Sequence, residues 1–331
     1  MPSMFRVTSL TEMPDAQLSR WIKRIGLLLL VGVVAFIAFY AVDRFRAPAS
    51  SIADREVAQL EEAVRANPED LAARGQLADA YLATSRYDEA IVLYNQILDT
   101  GREQRPATFG RARAEEAKGD LDAAKADYQT VIELSATGEM SGVDTALARS
   151  YYGVGSIALQ EGNPQEAIEV LQKALNIRRT DADTLNLLGL AYVQAGEPDK
   201  AIEVLNKAIL FVPIGWSDPY QALADAYAAK GQAAFAEWAG AMAQAQTGDT
   251  TAAVSRLEAI ADGDAALDAR ISLGLIAEQG GDTAGAAGWY RKALELDPEN
   301  EAATMGLSRV TSGTNVHPSI APASPIMEGS N

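Results

Sequence analysis

Along most of this chain, apolar residues recur at helical spacing in short runs, and glycine or proline separates the runs. The clearest stretch is 180–213, TDADTLNLLGLAYVQAGEPDKAIEVLNKAILFVP. Leu187, Leu188, Ala191 and Tyr192 fall on one helical face, with Gly189 beside them. Gly196-Glu197-Pro198 then punctuates the pattern, and Ala201, Ile202, Leu205, Ala208 and Ile209 make a second apolar face with a period near 3.6. Pro213 predicts the end of that second helix, because it has no N–H to continue the ladder. Two short amphipathic helices cannot bury their own apolar faces, so such a pair predicts neighbours of the same kind.

The neighbours are present. One period earlier stand Val154-Gly155, Ala158, Gly162, Ala167, Leu171 and Ala174. Nearer the C-terminus stand Leu273-Gly274, Ala277, Gly281, Ala286, Tyr290, Ala293 and Pro298. Leu77-Ala78, Tyr81, Ala90, Tyr94 and Ile97 form another copy, and Ala112, Gly119, Ala124, Tyr128 and Val131 a further one. In that last copy Arg111 and Glu115 replace the expected apolar and aromatic residues. With Leu188-Gly189, Tyr192, Gly196, Ala201, Leu205, Ala208 and Pro213 as the reference, the pattern resembles the tetratricopeptide repeat (TPR), a helix–turn–helix unit of about 34 residues. The resemblance covers roughly 70–310. It implies an all-α fold, a right-handed α-solenoid of TPR helix–turn–helix repeats, and the chain ahead of it reads as a single transmembrane helix. Small residues would let helices approach closely, and large ones would fill the grooves between them.

Ahead of the repeats, 1–24 reads as an N-terminal tail, disordered over 1–20. The span 25–42, IGLLLLVGVVAFIAFYAV, carries no charge. As a helix it would rise about 27 Å, close to a hydrocarbon core of roughly 30 Å. Trp21 and Tyr40 flank it as interfacial rings. Ala47-Pro48-Ala49 resembles a cleavage site, but the long apolar run and the intervening Asp43-Arg44-Phe45-Arg46 favour an uncleaved anchor. Arg6, Arg20, Lys23 and Arg24 precede the span, while Arg44, Arg46 and Arg55 follow it. That small excess predicts a cytoplasmic N-terminus, a single-pass cell-membrane protein and an extracytoplasmic repeat domain.

Residues 43–51 read as a linker with Ser51 as a helix N-cap. Residues 52–70 read as a capping helix with Val57, Leu60 and Val64 on its stripe. The solenoid then spans 71–310, with repeats at 71–104, 105–138, 148–181, 182–215 and 267–300. An insertion at 139–147 precedes the third, its tail expected to lengthen the next helix, and a phase break falls near 217–250. There the helix at about 233–247, with Phe235 and Trp238, would close one unit and open another. A degenerate repeat is the favoured reading of the break; a kink that splits the solenoid into two arms is the other. A short helix ends the array, and 311–331 is a disordered tail rich in Ser, Pro and Gly.

Chemistry narrows the function further. The chain has no cysteine, and its single histidine is His317 in the tail, so no His-based triad or Cys/His metal site can be assembled. Gly153-Val154-Gly155 lies within a helical pattern and reads as close packing, not as a phosphate loop. Asp262-Gly263-Asp264 lacks the spaced ligands of a calcium loop. The net charge of −17 argues against a nucleic-acid partner. The expectation is therefore no enzyme, no cofactor, no metal, no nucleic acid and no small-molecule substrate.

What remains is the binding of protein or peptide segments, with the membrane engaged through 25–42. In the resembled family, the first helices of successive repeats line a concave groove. That face here carries Tyr152, Ser156, Leu159 and Gln160, then Asp183, Asn186, Leu190, Val193 and Gln194. Farther on it carries Gln221 and Asp225, then Ile271, Leu275 and Glu278. Of the Lys, Arg and Asn set of TPR carboxylate clamps only Asn186 and a few scattered bases appear, which favours an apolar or basic segment, or a partner helix. The function read from the sequence is a membrane-anchored scaffold for envelope assembly, secretion or maturation of protein complexes. A cytoplasm-facing adaptor of a membrane complex and an accessory TPR subunit of an enzyme complex are the alternatives.

Overall fold

The computed structural model describes the chain at 15–45, 52–135, 141–211 and 215–312, with side chains of the first helix described at 19–37. Among the described residues it forms α-helices and one short 3-10 turn, Ser141–Val143. The chain divides into two units, Met1–Asn67 and Pro68–Asn331.

The first unit holds α1 (Asp15–Phe45) and α2 (Ile52–Ala66). Helix α1 starts at Asp15, well before the expected boundary at residue 25, and so includes 15–20 of the tail read as disordered. The reason is local: Ala16, Gln17, Leu18, Arg20, Lys23 and Arg24 are good helix formers, and no Pro or Gly interrupts them. Residues 43–45, read as linker, are likewise helical, while 46–51 and the N-cap at Ser51 lie outside the described residues. Every described side chain from 25 to 37 is exposed, including Leu28 at 71% and Phe36 at 68%. Among the described residues no helix is long and apolar enough to cross a membrane; side chains 38–42 of the expected span lie outside them.

The second unit is a run of helix pairs. In order they are α3 (Leu71–Ala83), α4 (Tyr87–Leu98), α5 (Gln104–Lys118), α6 (Leu121–Ser135), α7 (Thr145–Gln160), α8 (Pro164–Ile177), α9 (Ala182–Gln194) and α10 (Pro198–Phe211). Then come α11 (Asp218–Ala229), α12 (Ala233–Gln246), α13 (Thr250–Ile260), α14 (Ala266–Gln279), α15 (Thr283–Leu296) and α16 (Glu301–Ser312). Asp70, Asp144, Asp181, Asp249 and Asp282 cap α3, α7, α9, α13 and α15 by accepting from backbone N–H groups of the first turn. Pro164 and Pro198 open α8 and α10, where a missing N–H costs nothing. Pro213 and His317 lie outside the described residues.

Each helix packs on the next, and the small–large pattern explains how closely. A Cβ on Gly189 would lie 2.4 Å from the buried Leu205 side chain, and one on Gly153 would lie 2.4 Å from the Tyr128 ring. Gly153 is therefore a packing residue. Turn glycines such as Gly119 (φ 92°) and Gly196 (φ 71°) take the left-handed conformation between the helices of a pair. At the α3–α4 turn that place is held by Ser85, with φ 61°. Its Cβ is strained there, so Ser85→Gly is expected to raise unfolding stability by about 0.5–1 kcal/mol, net of the greater freedom of glycine in the unfolded chain. Denaturant titration checks this; a midpoint that stays or falls would show that the turn carries no strain.

A second layer of packing joins alternate helices. It links α3 to α5, α7 to α9, and α9 to α11. It then changes step, linking α12 to α14 and α14 to α16. Helix α12 thus packs as the second helix of α11 and as the first helix of α13. The core does not divide at this step: Leu188, Leu205, Leu223, Trp238, Leu257 and Leu273 belong to one buried cluster. A split into two separate arms is not what these residues form.

Candidate functional site

The residues singled out from the sequence lie on α7, α9 and α11, where α7 packs on α9 and α9 on α11, and on α14, which packs on α12 after the change of step. On α7, Tyr152 and Ser156 are half-buried, Leu159 is buried and Gln160 is exposed. On α9, Asp183 and Gln194 are exposed, and Leu190 and Val193 are half-buried against the core. Asn186 is buried, and its Oδ1 has no hydrogen-bond partner. On α11, Gln221 and Asp225 are exposed and joined by a 3.3 Å hydrogen bond from the amide to the carboxylate. On α14, Ile271 and Leu275 are buried. Glu278 accepts from Nε and Nη2 of Arg309, each at 2.9 Å, and from the Tyr290 hydroxyl at 2.7 Å. Burial would raise the Glu278 carboxyl, but these bonds outweigh it and hold its pKa below the usual range.

The apolar members of the face are thus largely occupied by helix packing. What stays open is polar: Gln160, Asp183, Gln194, Gln221 and Asp225.

The tyrosines of the second helices extend the picture. Tyr94 donates to Asp79 at 2.8 Å, with Arg113 of the next first helix 3.7 Å from the same carboxylate. Tyr290 and Arg309 close on Glu278 in the same manner. Tyr128 donates to Glu116 at 2.6 Å, but the nearby Arg149 lies over the Tyr152 ring, 5.0 Å from its centroid. Arg149 is exposed, and among the described residues no carboxylate stands within 4.0 Å of it. Phe109 packs on Tyr128 with ring centroids 6.2 Å apart, and the guanidinium of Arg113 stands 5.9 Å from the Phe109 centroid. Phe109, Arg113 and Arg149 were not in the sequence-derived face. Their signal was present, because stepping the same helical face back one repeat from Ser156, in the phase set by Ala112, lands on Arg113 and Phe109.

One further wall residue is electrostatically unusual. Asp268, in the first turn of α14, is buried, its Oδ1 has no partner, and burial pushes its pKa from 3.8 up to about 7. The folded chain therefore keeps this proton where the unfolded chain has lost it, and stability falls as pH rises from about 4 to 7. Asp268→Asn is expected to stabilise by on the order of 1–3 kcal/mol at pH 8 and to make little difference at pH 4. Chemical denaturation at the two pH values checks this; a difference independent of pH would refute it.

No group of His, Cys, Asp and Glu that could hold a metal is found among the described residues. Models of the tetratricopeptide repeat match the chain at 57–108 and 158–213, at 104–180 and at 239–301. Similar solved structures include BtubC (BKLC) from P. vanneervenii, 20% identical with a TM-score of 0.51, covering 61% of this chain and 93% of that one. MamA is 26% identical with a TM-score of 0.46, over 53% of this chain and 97% of its own. YrrB, described as a TPR protein with an unusual peptide-binding site, is 18% identical with a TM-score of 0.48, over 63% and 100%. The BtubC likeness bears on the fold alone. Among curated proteins, none matches the chain.

Proposed function

The chain belongs to the tetratricopeptide repeat family, and we propose that it is a membrane-anchored scaffold holding extended segments of protein partners along its first-helix wall. A TPR array is suited to protein binding because repeated first helices present one long surface on a rigid frame. The anchor would be 25–42. The observation that supports it is the run of exposed apolar side chains on α1, among them Leu28, Leu29, Val33 and Phe36, which water solvates poorly. Arg20, Lys23 and Arg24 precede this run, fitting a cytoplasmic N-terminus and repeats on the far side of the membrane. Anchoring would raise the effective concentration of scaffold and client at one surface, which suits envelope assembly, secretion or complex maturation.

Two measurements test this. A tag after Asn331 that is digested in intact cells with the outer barrier opened supports an extracytoplasmic scaffold. Protection until lysis favours a cytoplasm-facing adaptor, and recovery of the tagged chain in the soluble fraction overturns the anchor. Joint alanine substitution of Tyr152, Asn186 and Leu190 is expected to abolish client capture while helix content, read by circular dichroism, is retained. Undiminished capture would sink the wall as the binding surface.

A further inference from the structure

We infer that the α5–α7 part of the wall is a seat for an extended partner segment bearing side-chain carboxylates, received by Arg149 and Arg113 beside Tyr152 and Phe109. This rests on the reading that the first-helix wall binds polypeptide, and it adds the chemistry of the partner.

The chain as a whole is strongly acidic, at −17. Arg149 is an exposed cation held over the Tyr152 ring at 5.0 Å, with no carboxylate within 4.0 Å among the described residues. That stacking restricts the side chain before any ligand arrives, so less entropy is lost when its planar fork meets a carboxylate. Arg113 is exposed as well, 5.9 Å from the Phe109 centroid and only loosely paired with Asp79 at 3.7 Å. The nearby acids are already engaged: Glu116 accepts from Tyr128 at 2.6 Å and Asp79 from Tyr94 at 2.8 Å. Asp183, on α9, is exposed and marks the start of the acidic stretch that continues with Asp225.

The fold itself shows what a filled seat looks like. At α14–α16 the chain's own Glu278 takes the Arg309 fork through two 2.9 Å hydrogen bonds, with Tyr290 alongside. At α5–α7 the corresponding tyrosine and glutamate are Tyr128 and Glu116. There the arginine comes from the early part of α7 and turns to Tyr152 instead, and among the described residues no carboxylate lies within 4.0 Å of its fork. Asp183 and Asp225 lie farther along the wall, whereas Arg113 and Arg149 stand at its α5–α7 part beside acids already bonded to tyrosines.

The test uses the full chain in detergent and three fluorescent, C-terminally amidated peptides kept extended by proline: repeats of Glu-Ser-Pro, of Gln-Ser-Pro and of Lys-Ser-Pro. Anisotropy is expected to show the glutamate peptide binding about tenfold tighter than the glutamine one at low salt, with the gap closing as salt rises. Arg149→Gln should remove that preference, Arg149→Lys should keep only part of it because the charge stays but the planar fork is lost, and Arg291→Gln, an exposed charge loss on α15, should leave it intact. Equal binding of all three peptides, abolished by the Tyr152, Asn186 and Leu190 triple substitution, would overturn the acidic seat and leave the wall standing. No binding of the glutamate peptide, binding that requires a free C-terminal carboxylate, or equal losses in Arg149→Gln and Arg291→Gln would each overturn the inference.

Discussion

Trp238→Ala is expected to lower unfolding stability by about 3–5 kcal/mol and to separate thermal unfolding into two steps. Trp238 is 2% exposed and sits on α12, the helix that ends one pair and begins the next. Its ring meets Tyr220 of α11 edge-on, with centroids 6.4 Å apart and planes at 76°. Its indole N–H donates to the Ser272 hydroxyl of α14 at 2.9 Å. One side chain thus ties the helix before the change of step to the helix after it. In a solenoid each repeat is stabilised by its neighbours, so losing this tie weakens the coupling between the two halves of the array as well as the local core. Trp238→Phe keeps most of the apolar volume but leaves Ser272 unbonded, and should cost about 1–2 kcal/mol. Calorimetry on the alanine variant decides the matter. A single transition at the original temperature would mean that α12 is not the link.

Replacing Arg111 by leucine should cost about 2–4 kcal/mol, although leucine is what the repeat pattern prefers at that place. Arg111 donates to both oxygens of Asp127, at 2.6 and 2.8 Å, and to the Asn95 side chain at 2.5 Å, with Glu115 3.7 Å away. Asp127 and Glu115 are 11% and 12% exposed in their side chains, so removing the guanidinium would leave two little-solvated carboxylates facing one another. The strain already shows: burial, followed by the charge of Asp127, pushes the Glu115 pKa up to about 7 from 4.5. The Glu115 proton is held by the fold where the unfolded chain has lost it, so stability falls as pH rises from about 4.5 to 7, and the Arg111→Leu penalty should grow across that window. Joint replacement of Arg111, Glu115 and Asp127 by leucine, tyrosine and alanine removes every charge and should recover most of the loss. If the single and triple variants are equally unstable, the network is not what holds α5 to α6.

These two sites mark where the sequence was legible and where it was not. The departures at Arg111 and Glu115 were visible as breaks in an otherwise regular pattern, yet nothing local said what answered them. Their partners, Asn95 and Asp127, lie on the helices before and after, and only packing brings them within hydrogen-bonding distance. The double role of the helix at 233–247 could be read from the spacing of Gly231 and Gly248, but not the continuity of the core through it. The predicted wall fared similarly. Its residues do lie on first helices, but Leu159, Ile271 and Leu275 are buried and Glu278 is spent on Arg309 and Tyr290.

By itself the sequence determined the repeat, its turns and the charge of the chain, because a 3.6-residue period and a turn glycine act over a few neighbouring residues. The tertiary structure alone decided which wall residues remain open, which carboxylates are already neutralised, and that Arg149 stands without one among the described residues. A helical period states which way a side chain faces. Whether another helix, arriving from tens of residues away, has already covered that side chain or bonded to it depends on contacts that the period does not encode.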